Sequence, residues 1–118
     1  MITASERDHF IVRRILKYCG NVDEIVRRCD NSYANFKAIF YYRDSVSMSI
    51  QQIGELIKHL SDEFKSSHTD IPWAEIRGMR NRFAHDYYQM NNKVIWNTAI
   101  NDIPKLRIFC ESVLKENP

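Results

Sequence analysis

From Ile11 the apolar side chains fall at Ile11, Ile15, Tyr18, Val22, Ile25 and Cys29, in steps of 4, 3, 4, 3 and 4. That alternation keeps one face of an α-helix apolar, with a phase close to that of a coiled-coil seam. The register survives Gly20-Asn21, so the spacing predicts one long helix, weakened locally at Gly20 and started by a cap at Ser5. Asp30-Asn31-Ser32 ends it and leads into a short connector helix from about Tyr33 to Phe40. A second stripe, Val46, Ile50, Ile53, Ile57, Leu60 and Phe64, repeats the pattern. Two helices of roughly 25 residues, each ~37 Å long, should pack antiparallel at a shallow angle.

Ser66 to Asp70 reads as a loop, and Pro72 sits in the first turn of a third helix, where its missing N–H costs little. That helix turns Trp73, Ile76, Met79 and Phe83 inward and ends near Ala84. Asn91-Asn92 supplies a turn and cap for a last helix that begins near Lys93. It uses Trp96, Ile100, Ile103, Leu106, Phe109 or Cys110, and Val113, and Pro104 inside it should kink or briefly break it. The pattern predicts an all-α bundle of four to five helices, two of them long and antiparallel, as a single domain over residues 1–118.

Composition agrees. Glycine and proline together number only 6 of 118, too few turn formers for a sandwich, barrel or propeller of short strands. Gly20, Gly54 and Gly78 stand too far apart for a glycine-rich phosphate loop. Lysine plus arginine is 17 against 15 acidic residues, a net +2, so any phosphate binding must come from a local cluster. Cys19, Cys29 and Cys110 form no C-x-x-C pair, which fits neither a disulfide framework nor a zinc site. With no secretory leader and no apolar run near the ~18 residues of a membrane span, a cytoplasmic protein is expected.

The one dense cluster is Arg77-Gly78-Met79-Arg80-Asn81-Arg82-Phe83-Ala84-His85-Asp86-Tyr87-Tyr88. Arg77, Asn81 and His85 share a helix face if the helix persists that far. Arg80 and His85 lie ~140° apart on an ideal helix, and could meet in one cleft if the chain unwinds at Ala84. Such a set suits RNA phosphodiester cleavage: a neutral imidazole takes the 2′-hydroxyl proton, and a guanidinium fork holds the phosphate. The chemistry needs no metal and no cofactor. The same basic residues also suit the negative end of a helix dipole, with no catalytic role at all.

Arg80, His85 and Tyr87 form R-x-x-x-x-H-x-Y, set among Ile71-Pro72-Trp73, Gly78-Met79-Arg80-Asn81 and Ala84-His85-Asp86-Tyr87. With Gln52-Ile53-Gly54-Glu55-Leu56, Leu60-Ser61-Asp62-Glu63, Val94-Ile95-Trp96 and Asp102-Ile103-Pro104, this resembles the HepT family of HEPN-domain proteins from about Arg43 to Leu114. The resemblance implies a HEPN-type bundle acting as a homodimer, the toxin half of a type VII-like toxin–antitoxin pair, with endoribonuclease activity and no DNA specificity or membrane association. By position it implies that Arg80 binds the scissile phosphate and His85 is the acid–base group. Asn81, Arg77 and Glu55 would support them. A minimal nucleotidyltransferase antitoxin would adenylylate Tyr87, with Tyr88 ranked second. Ser49 stands where relatives often carry an asparagine. The alternative is a non-catalytic helical partner of the nucleotidyltransferase.

Other residues have plainer readings. Glu55, His59 and Glu63, spaced by four, form a solvated helical stripe before they form a metal site. Trp73 and Trp96 lie on apolar stripes and belong to the core before they stack on bases. Tyr41, Tyr42 and Met48 fit either a dimer contact or a buried cluster, and His9 and His68 read as surface residues.

Overall fold

The computed structural model describes residues 2–85 and 89–116, which form seven α-helices and no strand. The first, α1, runs Ala4–Arg28. Thr3 rather than Ser5 caps it, accepting the Glu6 N–H at 3.1 Å. The helix passes Gly20 unbroken and stops where Asp30 and Asn31 take φ of 54° and 55°. Asp and Asn tolerate this left-handed region better than other L-residues. The Asn31 N–H closes the end by donating to the Val26 carbonyl at 3.0 Å.

Ser32 caps the short α2, Tyr33–Ala38, and α3 follows as Phe40–Lys58. At 19 residues α3 is shorter than the apolar stripe predicts. It ends because Ser61 starts a new helix, α4, Asp62–Ser67, by accepting the Phe64 N–H at 3.1 Å. Leu60 and Phe64 keep helical phase across the break, so one stripe in sequence spans two helices in space.

The core joins Ile11, Val12, Ile15, Cys19 and Val22 of α1 to Val46, Ile50, Ile53 and Ile57 of α3. Each such buried aliphatic side chain contributes roughly 1.5–3 kcal/mol. Asp8 is 6% exposed and accepts the Ser61 N–H at 2.8 Å and its hydroxyl at 2.5 Å. This lock joins the start of α1 to the residue just past α3, so the two helices run antiparallel as predicted.

The fifth helix, α5, spans Trp73–His85. Trp73 packs on Phe64 of α4, and Arg80 meets Gly54 of α3. The helix therefore starts beside the end of α3 and runs back along it. Asn91 caps α6, Asn92–Asn97, accepting the Lys93 N–H at 2.7 Å. A π turn, Thr98–Asp102, joins it to α7, Ile103–Glu116. Pro104 lacks an N–H, and its ring would crowd the carbonyl four residues back; the wider turn before it accommodates both. The helix is widened there instead of broken. α7 adds Ile103, Leu106, Cys110 and Val113 to the core, and Arg107 pairs with Asp23 of α1 at 3.1 Å.

Trp96 is buried against Phe36, with ring centroids 5.1 Å apart. Trp73 packs on Phe64 and Phe109 and donates its indole N–H to the His68 carbonyl at 3.0 Å. Both tryptophans are core residues. His68, packed on Phe64 and Phe109, and His9 are half-buried and not surface residues. Tyr41 and Met48 are exposed, as is Phe40, whereas Tyr42 packs against the core. Among the described residues no helix is long and apolar enough to cross a membrane.

Candidate active site

α5 is amphipathic, and that decides where its basic residues go. Phe83 is buried and Trp73, Ile76 and Met79 pack against the core. Arg77, Asn81, Arg82 and His85 are left exposed, with Arg80 half-buried at the boundary. Gly54 explains how close Arg80 comes to α3. A Cβ at position 54 would lie 2.6 Å from Arg80 Cγ, closer still to Arg80 Cβ, and 3.5 Å from its Cα. Only a residue without a side chain lets the two helices touch there.

The close approach delivers Arg80 to Glu55, the residue after the glycine. Arg80 Nη2 lies 3.2 Å from Glu55 Oε2, and Nη1 donates to Asn81 Oδ1 at 3.2 Å. The two partly exposed side chains of the ion pair are 35% and 40% accessible, so water screens it to at most ~1 kcal/mol of stability. Its larger effect is orientation. Held on two sides, the guanidinium keeps part of its five-donor fork available for an anion such as a phosphate. Two further side chains approach Glu55, Lys58 Nζ at 3.9 Å and His59 Nε2 at 4.0 Å.

The sequence expectations fare unevenly. Arg77, Asn81 and His85 do share an exposed face, because α5 persists through His85. For the same reason the helix does not unwind at Ala84, and His85 does not swing towards Arg80. Arg82 and His85 in the last turn complement the helix dipole and favour that extra length. Five residues along an intact helix place Arg80 and His85 ~140° apart, so one chain by itself does not bring them to one face. Asn81 links the two faces, bonded to Arg80 and one turn before His85.

Glu55 pairs with Arg80, while Glu63 lies on α4, off the Glu55–His59 face. Ser49 is buried on α3. Tyr87, expected to be the modified residue, lies outside the described residues, as do Asp86 and Tyr88. No group of three or more His, Cys, Asp or Glu side chains is placed to hold a metal ion among the described residues. Of the members around Glu55, His59 stood in a solvated stripe by its spacing, and Lys58 was not singled out at all. Their signal was the spacing of three and four from Glu55.

Comparison with known proteins adds a family to this geometry. The model of the family described as "Ribonuclease HepT-like" matches residues 15–113. Among curated relatives, "Putative RNase TTE0752" of Caldanaerobacter subterraneus is 38% identical over 68 residues, 58% of this chain and 61% of that protein. "Putative RNase MJ0125" of Methanocaldococcus jannaschii is 28% identical over 103 residues, 86% of each chain. "Probable ribonuclease HepT" of Thermococcus cleftensis is 36% identical over 71 residues, 60% of this chain and 64% of that protein. No solved structure matches significantly.

Proposed function

Because the chain belongs to the ribonuclease HepT-like family, we propose that it is a metal-independent endoribonuclease that cuts RNA with Arg80 and His85, and the toxin of a toxin–antitoxin pair. The observation that carries this reading is the seat at Gly54, which fixes Arg80 between Glu55 and Asn81 with its guanidinium partly open to solvent.

In the proposed reaction Arg80 binds the non-bridging oxygens of the scissile phosphate, where charge grows in the transition state. His85 accepts the proton of the 2′-hydroxyl as that oxygen bonds to phosphorus. The bond from phosphorus to the 5′-oxygen breaks, leaving a 2′,3′-cyclic phosphate and a 5′-hydroxyl. A homodimer completes the cleft. Twofold pairing sets two α5 termini face to face, so the angle between Arg80 and His85 need not close within one chain. Exposed Phe40, Tyr41 and Met48 offer apolar surface for that pairing. A nucleotidyltransferase antitoxin silences the enzyme by adenylylating Tyr87. Each AMP adds negative phosphate and bulk two residues from His85, and repels RNA.

Arg80→Ala and His85→Ala in RNA-cleavage and growth assays test the proposal. Loss of the acid–base group should slow cleavage ~10²–10⁴-fold. Undiminished cleavage by either variant removes that residue from the mechanism. The divergence of Arg80 and His85 on an unbroken helix favours one other reading, a non-catalytic partner that presents Tyr87 to the nucleotidyltransferase. Toxicity that survives His85→Ala yet follows the modification state of Tyr87 would select it.

A further inference from the structure

Cleavage of RNA by its own 2′-hydroxyl moves two protons. One leaves the attacking oxygen, and another must reach the departing 5′-oxygen, which is a poor leaving group without it. The proposed site has so far supplied only one titratable group of the right kind.

A second imidazole stands in the same cluster. His59 caps the C-terminal end of α3, its Nε2 is 4.0 Å from Glu55 Oε1, and the other carboxylate oxygen of Glu55 lies 3.2 Å from Arg80. One carboxylate therefore links His59 to the arginine, while the histidine side chain remains 62% exposed. Its position along the seam is equally informative. α5 runs back along α3, and the two touch at Gly54 and Arg80. His85 lies five residues past that contact in one direction, and His59 five residues past it in the other, each ~7.5 Å along the helix axis. Within one chain the two imidazoles are thus ~15 Å apart along the axis, so the base that works opposite His59 is the His85 that the proposed twofold pairing brings in.

We infer that His59 is the general acid of this site: as the imidazolium, oriented by Glu55, it gives its proton to the 5′-oxygen as the bond to phosphorus breaks. The proposal rests on the nuclease reading above. The proton balance closes, since His85 gains the 2′-hydroxyl proton, His59 loses one to the leaving oxygen, and exchange with water restores both. Lys58 Nζ lies 3.9 Å from the same carboxylate oxygen of Glu55 and carries a cation without an imidazole. It serves as the charge control.

The test compares two versions of one oligoribonucleotide, identical except that at a linkage the wild-type protein cuts the 5′-bridging oxygen is replaced by sulfur. A thiolate leaves without protonation. His59→Gln should slow cleavage of the natural linkage ~10²–10⁴-fold and leave the sulfur linkage near the wild-type rate. Lys58→Gln should affect both linkages alike. Equal slowing of the two linkages by His59→Gln, or no slowing of either, overturns the assignment while leaving the nuclease reading intact. Failure of the wild-type protein to cut either substrate overturns both.

Discussion

Gly54→Ala isolates the contact on which the site is built. The added Cβ would sit 2.6 Å from Arg80 Cγ, whereas carbon atoms at ordinary contact are ~3.5–4.0 Å apart. The neighbour must retreat by about 1 Å, and the nearest atoms belong to the root of the arginine side chain, which moves only with its helix. Overpacking of this kind costs roughly 1–3 kcal/mol, against a gain of about 1 kcal/mol in helix propensity. Gly20→Ala and Gly78→Ala bring the same propensity gain, and nothing lies within 4 Å of the Cβ that either would add. Subtracting one variant from another cancels propensity and leaves the overlap, a difference of about 1–3 kcal/mol. Urea unfolding followed by circular dichroism should show Gly54→Ala less stable than wild type and the other two more stable. A displacement of ~1 Å at Arg80 should also cut RNA cleavage by about 10²-fold. If all three variants shift stability in the same direction by similar amounts, the helices do not touch at Gly54 and the account of the site fails.

Three further outcomes follow from buried groups. Asp8→Ala removes the acceptor for both Ser61 donors and should lower the unfolding free energy by about 1–3 kcal/mol, measured from the urea midpoint at unchanged slope. The thiols should resist a disulfide reagent in the native state and react only after unfolding, because burial, aided by the Glu111 charge, pushes Cys110 from 9.0 up to about 12, and burial first of all raises Cys19 and Cys29. The unfolded chain then loses thiol protons from about pH 9 while the folded one keeps those of Cys19 and Cys110, so stability should fall as pH rises through that window, approaching ~1.4 kcal/mol per unit for each of these two thiols.

The helices were legible where the chain's own spacing fixes them. α1 could be read through Gly20 because the stripe from Ile11 to Cys29 holds its phase on both sides. The end of α3 was not legible, because Leu60 and Phe64 stay in phase while the break depends on Ser61, whose own anchor is Asp8, 53 residues away. Pro104 announced an irregularity, yet its form as a π turn depends on keeping Ala99 and Ile103 both buried. At the site, the identity of Arg80 and its neighbours was readable, and their arrangement was not. Gly54 could have been merely tolerated, and only the packing of α5 makes it the seat of Arg80. The sequence offered His85 as the imidazole for that arginine, whereas the folded chain ties His59 to it through Glu55.

For the nuclease proposed above, the pairing of Arg80 with Glu55 also bears on how the site meets small anions. A guanidinium already matched by an internal carboxylate gains little by trading it for a lone inorganic phosphate or a free mononucleotide. A polymer is different, since it meets neighbouring cations at several points and can repay the exchange. Under the nuclease reading proposed above, the internal acid is a weak placeholder, holding the guanidinium with at most ~1 kcal/mol and yielding to a polymer that several cations meet at once.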